Sequence, residues 1–228
     1  MNILAIDSSD EVLSTALETE AGVWYCEIDA GPRHSELLME CIDGLFNTAG
    51  LTPSGLNAVA CTKGPGSFTG LRIGYSAAKG LCLALGIPLA AVPTLDCLAY
   101  PLSMWPGLVL PAIDAKKGCF FTAFYRDGKQ ISDYLDAKPL AIAEMAEKNA
   151  LGSDKSIVIT GSGTEKLHQC LTAFADFRIP MIPLFPRRGA AKDLLEIAKS
   201  SILKGKNDIN SGPDYIRKSD AELNLAKQ

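Results

Sequence analysis

Along the chain, apolar runs of strand length alternate with stretches in which apolar residues return every three or four positions. NILAID (2–7) is a short apolar run ending in Asp and serines, the mark of a buried strand. VLSTALET (12–19) and GVWYCEID (22–29) alternate in part, with a turn at Glu20–Gly22 between them, and predict a three-stranded meander. HSELLMECIDGLFNTAG then places Leu37, Leu38, Cys41, Ile42, Leu45 and Phe46 at helical spacing. Ser35 is positioned to cap its start and Gly50 to end it. LNAVACTKG predicts a fourth strand, the run around YSAAKGLCLALG a second helix, and IPLAAV a fifth strand. The first half reads β-β-β-α-β-α with a short strand after.

The second half begins again in the same way. GLVLPAIDAKKG (107–118) repeats the apolar run that ends in Asp, and CFFTAFYRDGKQISDYL predicts a hairpin turning at Asp127–Gly128. PLAIAEMAEKNAL predicts a helix from Pro139, SIVITGSG (156–163) a buried strand ending in glycines, and TEKLHQCLTAFADF and AKDLLEIAKSSILKG two further helices. Two tandem copies of a three-strand unit with helical crossovers predict an α/β chain. It resembles the duplicated, two-lobed fold shared by actin, sugar kinases and Hsp70 ATPase domains, with an N-terminal lobe over 1–105 and a C-terminal lobe over 106–228. That fold hosts many functions, so the site chemistry has to decide.

Composition narrows the partners. A chain of 228 residues, 47% apolar and 21% charged, has the make-up of an ordinary globular protein. A net charge of −4 argues against unaided nucleic-acid binding. The basic run of Arg187, Arg188, Lys192, Lys199, Lys204 and Lys206 reads as a solvated helix face rather than a phosphate track. Seven cysteines, an odd number without a CxxC pair, fit small buried hydrophobes in a reducing compartment. MNILAIDSSD lacks a basic leader, and no apolar stretch reaches 18 residues, so the expectation is a cytoplasmic protein without a membrane partner.

The stretch TKGPGSFTGLRIG (62–74) has the look of a phosphate cradle. Gly70 is followed by Leu71 and Arg72, however, so the Lys and Ser/Thr of a Walker A loop are missing. The spacing from Gly64 to Gly70 is one residue too long for a dinucleotide fingerprint. A glycine loop before a helix still suits an anion. Against that, Gly70, Gly74, Ala77, Ala78 and Leu81 make a small-residue stripe that suits close helix packing or partner contact. Asp7 with Ser8, and Asp114, stand where the actin and kinase fold meets nucleotide phosphate and metal, and Gly161 and Gly163 stand where it lies under adenosine. The turns DSSDEV and DAKKG are poor in glycine, which weakens that reading. His34 and His168 lie far apart, with no HxxxH or HExxH pair, so no metal site is expected. A lone histidine at a helix start reads as a capping or packing residue.

The blocks NILAIDSS, RHSELL, TKGPGSFTGLRIGYSAAKGL, PTLD, PAIDAKKG and PDYIRKSDAE resemble the TsaB (YeaZ) family across nearly the whole chain. The resemblance implies a non-catalytic scaffold and dimerisation subunit of the bacterial machinery that makes N6-threonylcarbamoyladenosine at position 37 of tRNAs reading ANN codons. Its partners would be a TsaD-like catalytic subunit and a TsaE-like ATPase, with tRNA met only through the complex and no cofactor of its own. A separate enzyme would supply the threonylcarbamoyl-adenylate donor. Where the catalytic relative carries its metal-binding histidines, VPTLDCL here offers Thr94 and Leu98. The resemblance also implies that the helix after RHSELL and the helix after the GPG loop form the partner face, which self-associates when the chain is alone. Leu37, Leu38, Cys41, Leu45, Gly70, Arg72, Gly74, Ala77, Ala78 and Leu81 are its candidates. An autonomous ATP-dependent phosphotransferase is the rival reading, and a metallopeptidase a third.

Overall fold

The computed structural model describes residues 1–150, 156–184 and 189–217. In chain order these form β1 (Ile3–Asp7), β2 (Val12–Thr19), β3 (Gly22–Asp29), α1 (His34–Ala49), β4 (Ala58–Thr62), α2 (Phe68–Leu85), β5 (Leu89–Val92) and α3 (Thr94–Ala99). Then follow β6 (Leu108–Asp114), β7 (Phe120–Thr122), β8 (Tyr125–Arg126), β9 (Lys129–Gln130) and β10 (Leu135–Ala137). The last elements are α4 (Pro139–Asn149), β11 (Ile157–Thr160), α5 (Thr164–Thr172), β12 (Met181–Pro183) and α6 (Ala191–Leu203).

The first compact unit comprises Met1–Cys97 and Arg188–Asp214. Its sheet has the order β3-β2-β1-β4-β5, with an antiparallel meander on one side and two parallel strands on the other. β1 and β4 are buried at every residue, which is why their sequences run apolar rather than alternating. Leu4, Ile6, Leu13 and Leu17 face α1 and α2 in one core with Val59, Phe46, Tyr75 and Cys82. The other face carries α6, which packs across β1, β2, β4 and β5. Beyond α6 the chain runs along β5 at the sheet's edge. There Asn207 Oδ1 accepts from the Leu89 N–H (3.2 Å) and Asp208 Oδ2 from the Ala91 N–H (2.9 Å), while the Asp208 N–H donates to the Leu89 carbonyl (2.8 Å).

The second unit, Leu98–Arg187 and Tyr215–Gln228, repeats the topology. Its main path is β10-β7-β6-β11-β12, with β6 antiparallel to β7 and parallel to β11. Leu108, Leu110, Phe120, Phe124, Ile157 and Ile159 form its core with Ile142 of α4 and Leu167 and Leu171 of α5. Arg217 is held here by a bidentate pair to Asp136 (2.5 and 2.6 Å) and by the Ala115 carbonyl (2.6 Å). The repeated meander, crossover helix and parallel strands are those of the duplicated actin, sugar-kinase and Hsp70 fold.

Three features differ from the sequence reading. The units do not divide at 105/106: α6 and the residues after it return to the first unit, because Leu194, Leu195 and Ala198 bury on its sheet. Ser35 does not cap α1; the helix starts two residues earlier than such a cap would set it, at His34, Arg33 is the N-cap without a side-chain bond, and Glu36 supplies the favourable charge in the first turn. Gly50 ends α1 in the left-handed conformation, as expected. The expected hairpin over 119–135 is instead four short strands. Only β8 and β9 form a tight turn, with Asp127 and Gly128 both at positive φ (49° and 69°). Phe124 interrupts the ladder by donating its N–H to Ser132 Oγ (2.9 Å).

Candidate functional site

In the first unit β1 ends at Asp7, and its carboxylate is fully engaged. Oδ1 accepts from the Ser9 N–H (3.1 Å), the Ser9 hydroxyl (2.6 Å) and the Thr62 hydroxyl (2.9 Å); Oδ2 accepts from the Ala190 N–H (3.0 Å). Ala190 is the N-cap residue of α6, so a buried carboxylate meets the positive end of that helix. Ser14 Oγ accepts from the next amide, Ala191 (3.1 Å). Beside them the Gly189 N–H donates to Glu27 Oε2 (3.0 Å), and Glu27 also accepts the Tyr25 hydroxyl. Burial, reinforced by Glu27, pushes that hydroxyl well above its ordinary pKa. Lys192 lies 4.5 Å from the Tyr25 ring centre.

The turn after Asp7 also answers for the glycine stretch. The Ser67 N–H donates to the Ser9 carbonyl (2.6 Å), and Ser67 Oγ caps α2 by accepting from the Gly70 N–H (3.2 Å). A Cβ on Gly66 would collide with the Ser9 carbonyl oxygen, one on Gly70 with the Ser8 carbonyl oxygen, and one on Gly74 with the Ser8 hydroxyl. That hydroxyl donates to the Gly70 carbonyl (2.8 Å). Three glycines thus let the β1 turn lie directly on the start of α2, where an anion would otherwise approach. Lys63, just before the loop, pairs with Asp214 (2.6 Å).

In the second unit Asp114 ends β6. It accepts from the Lys116 N–H (2.8 Å) and pairs with Lys166 of α5 (2.9 Å). Burial pushes its carboxyl up, but the Lys166 bond, the Lys116 amide and the two lysine charges outweigh that and hold it below the usual carboxylate range. A Cβ on Gly161 would strike the Ala112 carbonyl oxygen, and one on Gly163 would sit 3.0 Å from the Asp114 nitrogen. These glycines let the β11–α5 turn lie against β6. Lys116 and Lys117 both take positive φ (59° and 55°) in the turn between β6 and β7.

The candidate partner residues separate into two groups. Leu38, Cys41, Leu45, Gly70, Gly74 and Ala78 are buried in the first unit, facing its own sheet. Leu37, Ala77 and Leu81 lie half-buried at the core margin, and Arg72 is exposed, 3.8 Å over the Phe68 ring. Met39 of α1 and Leu83 of α2, which the sequence reading passed over, are 47% and 71% exposed. A second feature it missed is a groove of about 370 Å³ between α1 and β3, bordered by Trp24, Cys26, Ile28, Cys41 and Gly44. Thr94 and His34 are buried, with Thr94 Oγ1 and His34 Nε2 unpartnered. Of the basic run, Lys199 pairs with Glu18 and Glu196 and Lys206 with Asp208; Arg187 and Arg188 lie outside the described residues, as does PDYIRKSDAE from Lys218 on. Among the described residues no helix is long and apolar enough to cross a membrane.

Known proteins give this geometry a family. The family model described as TsaD, tRNA N6-adenosine threonylcarbamoyltransferase, matches residues 27–224. The tRNA threonylcarbamoyladenosine biosynthesis protein TsaB of Bacillus subtilis is 39% identical over 127 residues, 55% of this chain and 56% of that protein. A tRNA N6-adenosine threonylcarbamoyltransferase of Nitratidesulfovibrio vulgaris is 30% identical over 201 residues, 86% of this chain and 53% of that protein. The match spans about half the length of each of these relatives. YeaZ from Pseudomonas aeruginosa has the same fold, with a TM-score of 0.76 and 25% identity over 94% of this chain and 99% of that one. The motif blocks, the repeated topology and these relatives agree, and the chain belongs to the TsaB (YeaZ) family.

Proposed function

We propose that this chain is a non-catalytic partner subunit in the biosynthesis of N6-threonylcarbamoyladenosine on tRNA, supporting a TsaD-like catalytic subunit and working with a TsaE-like ATPase. The observation that carries the reading is the engagement of Asp7. Its two oxygens accept four hydrogen bonds from Ser9, Thr62 and Ala190. A carboxylate spent on a helix start and a turn is poorly placed to hold a metal–phosphate group. The start of α2 is likewise met by the chain's own oxygens, from Ser9 and Ser67. Asp114, held by Lys166, is a second acid tied to its own unit.

The partner face belongs on the outward sides of α1 and α2. Met39, Arg72, Ser76, Gly80 and Leu83 are exposed there, with Leu37, Ala77 and Leu81 at its border. Exposed aliphatic side chains beside small residues favour close helix-on-helix contact with a second protein. The same face serves self-association when the chain is alone, and tRNA is met only through the assembly.

The deciding experiment titrates the purified chain calorimetrically, first with ATP and Mg²⁺ and then with a TsaD-like subunit from the same organism. It then assays tRNA modification with and without the chain. Binding of the subunit, no heat with ATP and a modification rate dependent on the chain are expected. Tight ATP binding by the isolated chain would overturn the reading in favour of a phosphotransferase.

A further inference from the structure

The two borders of the first unit's sheet differ. β5 is covered by Asn207 and Asp208, whereas β3, at the other end of the sheet, pairs with β2 alone among the described residues. The Ala30 N–H donates to the Glu11 carbonyl (3.2 Å), which makes Ala30 and Glu11 a bonded pair of the β2–β3 ladder. Bonded and non-bonded pairs alternate along an antiparallel ladder. The backbone groups of Ile28, Cys26 and Trp24 therefore turn inward to β2, and those of Glu27, Tyr25 and Val23 turn outward. No other described residue bonds to these outward groups. Beside this open border runs the groove of about 370 Å³ between β3 and α1. A Cβ on Gly44 would meet nothing within 4 Å, so the groove is open along that turn of α1. Glu40, exposed one turn earlier, stands at its rim. Together α1 and β3 carry Glu27, Asp29, Glu36, Glu40 and Asp43, and neither holds a Lys or Arg.

We propose that β3 and α1 form a docking site for an extended, basic segment of a partner protein. The segment adds as a further strand along β3, with an apolar side chain in the groove over Gly44 and a Lys or Arg over Glu40. The spacings match. Residues two apart on a strand point to one face and lie about 6.7 Å apart, and residues four apart on a helix, as Glu40 and Gly44 are, lie about 6 Å apart. One cation and one apolar residue at i and i+2 thus meet the acid and the groove together. Backbone bonds to Val23, Tyr25 and Glu27 give affinity for any extended chain, while the groove and the carboxylate select its sequence. A second copy of this chain is a poor occupant. Its β3 offers no Lys or Arg, and its Trp24, Cys26 and Ile28 are already packed against its own core. The site is separate from the outward face of α1 and α2, because it lies where α1 packs on β2 and β3 while α2 packs on β4.

The test uses the full chain, isotope-labelled for magnetic resonance, and a capped heptapeptide in which threonine alternates with lysine, leucine and valine. In excess, the peptide should slow hydrogen exchange at the Val23, Tyr25 and Glu27 amides about tenfold or more and shift the Trp24 indole signal. Glutamate in place of the lysine should weaken binding about tenfold. Methylating alternate backbone nitrogens of the peptide should abolish binding in one phase and spare it in the other, since only every second amide faces β3. Glu40→Lys should reverse the preference, so that the glutamate peptide binds better. Gly44→Leu, at an exposed helix position with open space around it, should keep the fold and lose binding. Unchanged exchange at the three amides under millimolar peptide, equal binding of the lysine and glutamate peptides, or indifference to both methylation patterns would each overturn the proposal. The peptide series on the unsubstituted chain decides the matter without any variant having to fold. It needs no TsaD-like subunit and no tRNA, so its failure is separable from failure of the subunit reading.

Discussion

The Ser8 hydroxyl occupies the space that a side chain on Gly74 would need, and from there it donates to the Gly70 carbonyl at 2.8 Å. Gly74→Ala gains about 1 kcal/mol of helix propensity, but a methyl group driven into a buried hydroxyl costs more, roughly 2–3 kcal/mol. Removing the hydroxyl leaves Ser8 Cβ at 3.3 Å and Ile6 Cγ2 at 3.4 Å, distances that small shifts can accommodate. Ser8→Ala alone should cost about 1 kcal/mol for its hydrogen bond. The double variant should then be more stable than the sum of the single losses, by roughly 1–3 kcal/mol in a denaturant cycle. Simple additivity would refute the contact. The same geometry means that a large residue at 74 disrupts the fold itself, rather than only a partner face.

Asp7→Asn places an amide where Ala190 donates and weakens the three bonds from Ser9 and Thr62. A loss of roughly 2–4 kcal/mol is expected, with melting lowered by on the order of 10 °C. The readouts are chemical denaturation and the thermal midpoint. A variant as stable as the parent but deficient in ATP-dependent turnover would show that the carboxylate serves chemistry instead.

Asp114 gives a pH signature. Its folded carboxyl lies below its ordinary value of 3.8, so its contribution is present above that value and lost as pH falls through the lowered folded one. Lys166→Met should cost only about 0.5 kcal/mol near neutrality, because Lys166 is half exposed. That difference should shrink to nothing in strong acid. Stability measured from neutrality downwards checks it, and a gap that persists unchanged in acid would assign the loss to packing.

Leu83→Asp and Met39→Asp alter side chains that stand largely in solvent. Each should leave the thermal midpoint within a few degrees while weakening binding of a TsaD-like subunit about tenfold or more. Size-exclusion chromatography and calorimetry separate the two effects. Unchanged binding by both variants would move the partner face elsewhere.

Much of the architecture was legible because strand burial writes itself as apolar runs. ILAID and AVACT are buried throughout and could be placed from sequence alone. Helical spacing likewise located α1 and α2, and Gly50 marked an end that only a left-handed residue makes easily. Direction was harder to read. A stripe such as Gly70, Gly74 and Ala78 shows that something approaches closely, yet not whether it is the chain's own turn or another molecule. The destination of α6 was illegible for a similar reason: its apolar face reads the same whichever sheet it covers. The bond from Ala190 to Asp7 joins residues 183 apart, beyond any local pattern.

The polar seam along β5 has a consequence for how copies of this protein meet. Asn207 and Asp208 satisfy the outward amides of Leu89 and Ala91, so that border is closed to strand addition. Cutting the chain before Asn207 would bare a run of unpaired backbone on a buried-type strand, and the truncated protein should precipitate or form mixed oligomers where the intact one stays discrete. The segment beyond α6 therefore works as a seal against disordered assembly, leaving ordered contact to the helices.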